Sequence, residues 1–132
     1  MQKFLLVFLG SGAGGVLRYW LGGLIAAAWG PTFPLETLVI NVTGCFAIGF
    51  LATVIDGPLL VRHADDLKAA VLIGLLGGYT TFSSFGRETM GLLHDGEYFR
   101  AGLYIVLSVA VGLGAVWVGM ALAERIYGSG AP

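Results

Sequence analysis

The chain has 132 residues, of which 57% are hydrophobic and 11% are charged, and its mean hydropathy is +0.87. A soluble domain carries roughly 25% charged residues, so this composition excludes a soluble enzyme and a disordered chain. Seven basic and eight acidic side chains give a formal net charge of −1, which leaves no basic patch for a nucleic-acid partner. The surroundings are therefore expected to be membrane lipid.

Four stretches are long enough to cross a membrane, since a spanning helix needs about 20 mostly apolar residues. The first covers about 4–29 and the second 35–56. The third covers 67–90 and is rich in glycine and threonine, and the fourth covers 99–124. The connections between them are short. The sequence thus predicts an all-α membrane protein, with one four-helix transmembrane domain over 1–132.

Arg18 is the costliest residue of the first span, because an arginine at a helix centre costs about 2.5–3.5 kcal/mol on insertion scales. We expect a structural role, in which its guanidinium pairs with a carboxylate or with carbonyls at a helix end. A direct contact with an anion is the less favoured alternative. Arg18 also argues against a cleaved secretory leader, the other interpretation of Lys3 and the apolar stretch after it, because it interrupts the apolar region.

The distribution of basic residues orients the chain only weakly. With four spans, both termini and the 57–68 loop share one side of the membrane. That side has four basic residues and the other has two or three, namely Lys3, Arg62, Lys68 and Arg125 against Arg87, Arg100 and, if it reaches outward, Arg18. Such differences set orientation, and a small one permits insertion in both directions. An antiparallel homodimer is the resulting hypothesis.

The third span contains the segment GGYTTFSSF at 77–85. Two glycines followed by two threonines and two serines make a poor continuous helix, so we expect the third helix to be broken. A break at membrane depth is tolerated where the freed backbone lines a cavity or is buried in protein. Its carbonyls suit Na⁺ and similar cations, and its helix ends favour anions. A kinked packing helix whose hydroxyls bond the backbone is the alternative.

Polar side chains at membrane depth mark a pathway or a satisfied packing contact. For Asn41 the packing alternative is an interhelical hydrogen bond, and for Ser108 it is a bond back to its own helix. Tyr104 lies one turn from Ser108 and shares its face. Phe82 and Phe85 are three residues apart, and their ring edges carry partial positive charge. A row of such edges beside Asn and Ser donors suits a small anion, although core packing is the commoner role.

The chain resembles the Fluc (CrcB) family of fluoride channels along essentially its whole length. The resemblance is carried by GGVLRY at 14–19, NVTGCF at 41–46 and GGYTTFSSF at 77–85. It implies an antiparallel, dual-topology homodimer in the cell (inner) membrane, with two fluoride pathways and passive export of cytoplasmic fluoride. The implied partners are fluoride, lipid and a second copy of the chain.

The same resemblance implies roles for individual residues. A structural Na⁺ at the dimer centre would be held by the backbone carbonyls of Gly77 and Thr80 from both subunits. The implied ion pathway consists of the pore asparagine, the paired phenylalanines, two polar positions of the fourth helix and a carboxylate near the entrance: Asn41, Phe82, Phe85, Tyr104, Ser108 and Glu88. The chain departs from some members at Gly112 and Val39, where those members carry a hydroxyl.

Cys45, in an apolar run, is expected to be an inert packing residue.

Three other functions are alternatives to the channel. A small multidrug-type proton-coupled exporter needs a titratable carboxylate inside the bundle, whereas the candidate acids lie near span ends: Glu36, Asp56, Glu88 and Glu124. A purely structural subunit leaves the predicted break in the third span without a role. An intramembrane enzyme needs a nucleophile with a base or a metal cluster, and His63 and His94 lie in predicted loops. We therefore expect no enzyme.

Overall fold

The computed structural model describes residues 1–30, 32–57 and 60–128, and within those ranges the regular structure is entirely helical. Helix α1 is Gln2–Trp29 and α2 is Leu35–Asp56. A 3₁₀ turn at Val61–His63 leads into α3, residues 64–79, whose central part Lys68–Leu76 is π-helical. Helix α4 is Phe82–His94 and α5 is Tyr98–Tyr127.

Among the described residues, four helical segments are long and apolar enough to cross a membrane: Gln2–Trp29, Leu35–Asp56, Ala64–His94 and Tyr98–Tyr127. The third of these combines α3 and α4. The all-α class and the four helices able to span a membrane are thus confirmed.

Helices α1 and α3 meet backbone to backbone. A Cβ atom added at Gly10 would overlap the carbonyl oxygen of Ala70, and one at Gly14 would overlap that of Leu75. From the other side, a Cβ at Gly78 would overlap the Ser11 carbonyl oxygen. Small residues permit this close approach in membranes. The glycines of the first span therefore fix where α3 lies.

The same device joins α2 to α5, which pack along most of their lengths. A Cβ at Gly49 would overlap the Val116 carbonyl oxygen, and one at Gly119 would overlap that of Phe46. Tyr104 of α5 is fully buried against its neighbours. Thus α2 and α5 form one close pair, and α1 with α3 forms the other.

Exposed ion pairs tie the helix ends together at the end of the bundle that holds the N-terminus. The Lys3 ammonium lies 2.8 Å from the Asp65 carboxylate and links α1 to α3. Lys68 pairs with Asp56 and links α3 to the end of α2. Exposed pairs of this kind each contribute about 0–1 kcal/mol, so they set the arrangement of the ends more than the stability.

Large apolar side chains cover the outside of the bundle. The exposed fractions are 82% for Phe4, 86% for Tyr19, 83% for Phe82 and 70% for Trp117. Apolar surface on this scale needs lipid or another protein against it. The outer surface therefore fits a chain that lies in a membrane.

Candidate ion pathway

The helical hydrogen bonding of the third span is interrupted at two threonines. Thr80 has φ −82° and ψ 160°, and Thr81 has φ −152° and ψ 112°, both extended conformations. The Asn41 side chain of α2 pairs with the backbone of Thr81. Its Nδ2 donates to the Thr81 carbonyl at 3.0 Å, and the Thr81 N–H donates to its Oδ1 at 2.8 Å. The Asn41 amide thus forms with Thr81 the pair of hydrogen bonds that a neighbouring strand would form.

Two carbonyl groups lose their helical donors at this interruption. In a continuous α-helix the Thr81 N–H would bond the Gly77 carbonyl, and the Ser84 N–H would bond the Thr80 carbonyl. Here the Thr81 N–H goes to Asn41, and the Ser84 N–H goes to the Thr81 hydroxyl at 3.2 Å. Thr81 is therefore the N-cap of α4. The carbonyls of Gly77 and Thr80 have lost their helical partners.

A half-buried carboxylate lies between the starts of α2 and α5. The Thr37 hydroxyl donates to one oxygen of Glu88 at 2.9 Å, and the Tyr104 hydroxyl donates to the other at 2.7 Å. Thr37 and Tyr104 are both buried. Thr37 was not predicted as a site residue, although it lies one helical turn before Asn41 on the same face of α2.

Aromatic rings connect the interruption to this carboxylate. The ring centroids of Phe82 and Phe85 are 5.5 Å apart, and those of Phe85 and Tyr104 are 5.2 Å apart. Phe33 meets Tyr104 edge to face at 5.5 Å. Phe33 belongs to the connection after α1, where no periodicity marks it, so the sequence did not predict it.

A groove of about 350 Å³ runs beside the interruption. It brings together most of the predicted site residues: Asn41, Gly77, Thr80, Phe82, Phe85 and Ser108. Tyr104 and Glu88 lie beyond Phe85 and do not line it. The Ser108 hydroxyl oxygen is almost fully buried and has no hydrogen-bond partner in the part of the chain that the structure describes. The alternative in which Ser108 bonds its own helix is therefore wrong.

Arg18 lies apart from this groove. Its side chain is half-buried and, within residues 1–30, 32–57 and 60–128, forms neither an ion pair nor a side-chain hydrogen bond. The structural pairing expected for Arg18 stays a prediction.

The family model and the related proteins that match this chain point to the same family. The chain matches the family model described as CrcB-like protein, Camphor Resistance (CrcB), over residues 5–120. It is similar to proteins named Fluoride-specific ion channel FluC from several bacteria. The relative from Paramagnetospirillum magneticum is 48% identical over 128 residues, covering 96% of this chain and 98% of that protein. The Opitutus terrae relative is 46% identical over 121 residues, or 90% of each chain. The relative from Coxiella burnetii strain Dugway 5J108-111 is 42% identical over 128 residues, covering 95% and 100%.

Proposed function

Since the chain belongs to the CrcB family, we propose that it is a fluoride-selective, passive ion channel that lets cytoplasmic fluoride leave the cell. Its relatives are named fluoride-specific ion channels, and its four apolar helices make it a multi-pass membrane protein. It is a channel and not an enzyme. The comparisons do not support the proton-coupled exporter.

The observation that carries the proposal is the Ser108 hydroxyl, buried beside the groove without a hydrogen-bond partner in the described part of the chain. A buried polar group without a hydrogen bond is costly and calls for an explanation. Fluoride is small and strongly hydrated, so a selective pore must replace its water with closely placed donors. The Ser108 hydroxyl is such a donor, and the second N–H of the Asn41 amide is another, because Thr81 uses only one of the two.

The aromatic row supplies the rest of the lining. The edges of Phe82 and Phe85 carry partial positive charge and attract an anion without binding it as tightly as an arginine would. Beyond them, Tyr104 and Glu88 form the far end of the row, where we place the pore entrance. Chloride is larger than fluoride, so a row built around the smaller ion would exclude it.

We also propose that the active unit is an antiparallel homodimer with two pores. Two features support this: the weak charge bias across the membrane and the groove beside Phe82, whose ring is 83% exposed in a single chain. A second copy would cover that groove. Arg18, half-buried and without a side-chain partner among the described residues of its own chain, would then find its carbonyl or carboxylate in the other subunit.

A central structural Na⁺ is the remaining part of the proposal. The residues fit it, because the carbonyls of Gly77 and Thr80 have lost their helical donors and carbonyl oxygens are ligands of hard cations. The ion would neutralise the exposed carbonyl dipoles at the interruption and hold the two subunits together there.

The deciding experiment is fluoride efflux from liposomes that contain the purified protein, followed with an ion-selective electrode. We expect rapid fluoride efflux and no comparable chloride efflux. Equal efflux of both halides would refute the selectivity. No fluoride efflux from well-folded protein, together with transport driven by a proton gradient, would support the exporter instead.

A further inference from the structure

We propose that the Cys45 thiol lines the fluoride pathway and fills the position in its polar row that Gly112 leaves without a side chain. This inference rests on the proposed channel function and refines it. It replaces the expectation that Cys45 is an inert packing residue.

The polar row runs along one face of α5. Tyr104, Ser108 and Gly112 follow each other at four-residue spacing and therefore share that face. The first two carry hydroxyls, whereas the third has no side chain. A Cβ atom added at Gly112 would lie 3.5 Å from the sulfur of Cys45. The thiol of α2 thus lies against the place where a side chain at 112 would begin.

A second observation, an unpaired hydroxyl on the same groove, points to a ligand at this place. Cys45 lines the same groove as Ser108, whose hydroxyl is almost fully buried and has no partner within the described ranges. The hydroxyl and the thiol therefore do not satisfy each other. Two donors that line one groove and have no hydrogen-bond partner among the described residues can bind the same small anion.

The chemistry of the thiol suits a position that fluoride passes on its way through the pore. Its S–H is a weaker hydrogen-bond donor than a hydroxyl, so it would hold fluoride less tightly than a serine at 112. Conduction requires binding that is strong enough for entry and weak enough for release. A thiol on the groove that Ser108 lines would meet both needs and keep the row continuous.

The experiment uses thiol modification, since Cys45 is the only cysteine of the chain. Methyl methanethiosulfonate transfers a thiomethyl group to the sulfur and releases methanesulfinate. Proteoliposomes are treated with this reagent, labelling is followed by intact-protein mass, and fluoride efflux is measured before and after. We expect complete labelling and an efflux rate reduced about tenfold, because a pore narrow enough to strip water cannot accommodate the added group. The Cys45→Ala protein should keep its own rate after treatment.

A matched control separates blocking from general distortion. Ala115 lines another groove between α2 and α5, on a side without Asn41 or Ser108. In the Cys45→Ala background, Ala115→Cys should accept the label without a change in efflux. Size-exclusion chromatography of each labelled protein checks that assembly is intact.

Each outcome has a defined meaning. Labelled Cys45 with unchanged efflux overturns the inference, as does a thiol that no reagent reaches in folded protein. An equal loss on labelling Ala115→Cys also overturns it. By contrast, unmodified protein that shows no fluoride efflux overturns the proposed function itself. A final check is Cys45→Ser, which keeps a donor of similar size and should conduct at least as fast as Cys45→Ala.

Discussion

Asn41→Ala tests whether the side chain of Asn41 maintains the interruption of the third span. The substitution removes the 3.0 Å bond to the Thr81 carbonyl and the 2.8 Å bond from the Thr81 N–H. Thr81 is 8% exposed, so water does not readily replace the lost partner. An unsatisfied buried group costs about 1–3 kcal/mol, and two such groups give about 2–6 kcal/mol in the free energy of unfolding.

Unfolding of purified protein by sodium dodecyl sulfate in mixed micelles measures this free energy. The matched control is Thr53→Ala on the same helix, whose hydroxyl only bonds the Gly49 carbonyl of its own helix at 2.8 Å. Removing such a back-bond should change the free energy by less than about 0.5 kcal/mol, because it contributes little to helix stability.

A second readout follows the backbone itself. Hydrogen exchange at the Thr81 amide should accelerate in Asn41→Ala, because that N–H loses its acceptor. The reasoning is refuted if Asn41→Ala is no less stable than Thr53→Ala and the Thr81 amide stays protected. That result would show that the interruption persists without its side-chain partner.

Three further tests are expected to separate conduction, hydrogen bonding and packing. Phe82→Ile should reduce fluoride efflux sharply while assembly, followed by size-exclusion chromatography, stays intact, because the ring lines the groove and its positively polarised edge is lost; unchanged efflux would make it a packing residue. Tyr104→Phe should lower the free energy of unfolding by about 1.5–3 kcal/mol, because it removes a 2.7 Å hydrogen bond to a carboxylate. Its control, Tyr127→Phe, changes an exposed side chain and should leave the free energy of unfolding almost unchanged. Equal unfolding curves for the two variants would contradict this. Gly14→Ala should destabilise the protein strongly, because its Cβ would overlap a carbonyl of α3. Gly15 has open space around it, so Gly15→Ala should stabilise the protein by up to about 1 kcal/mol. Thermal unfolding in detergent compares the two variants.

The helices could be predicted from the sequence because length and the absence of charge decide what crosses a bilayer. The interaction partners could not. Helical periodicity places Asn41 on a face but does not say which helix meets that face, so its pairing with Thr81 required the structure. The same limit hid Thr37, whose hydroxyl bonds Glu88, because those residues are 51 positions apart.

Ser108 shows a different limit. A serine in a helix can turn its hydroxyl back to the carbonyl one turn earlier or away from it, and the sequence does not distinguish the two rotamers. The surrounding side chains decide, and among the residues that the structure describes the hydroxyl has no hydrogen-bond partner. The π-helical part of α3, Lys68–Leu76, was likewise not indicated by any residue pattern.

The glycine contact between α1 and α3 has a consequence for the cost of assembly. Gly10, Gly14 and Gly78 have no rotamers, so pressing these helices together loses no side-chain conformational entropy at those positions. Lipid tails are as apolar as leucine, and the contact therefore depends on close van der Waals packing and not on expulsion of water. Two main chains in direct contact also leave no room for an acyl chain between them. The segment that carries the interruption is thus held by main-chain contacts that involve no side-chain rotamers, and lipid has no room to enter between the two helices there.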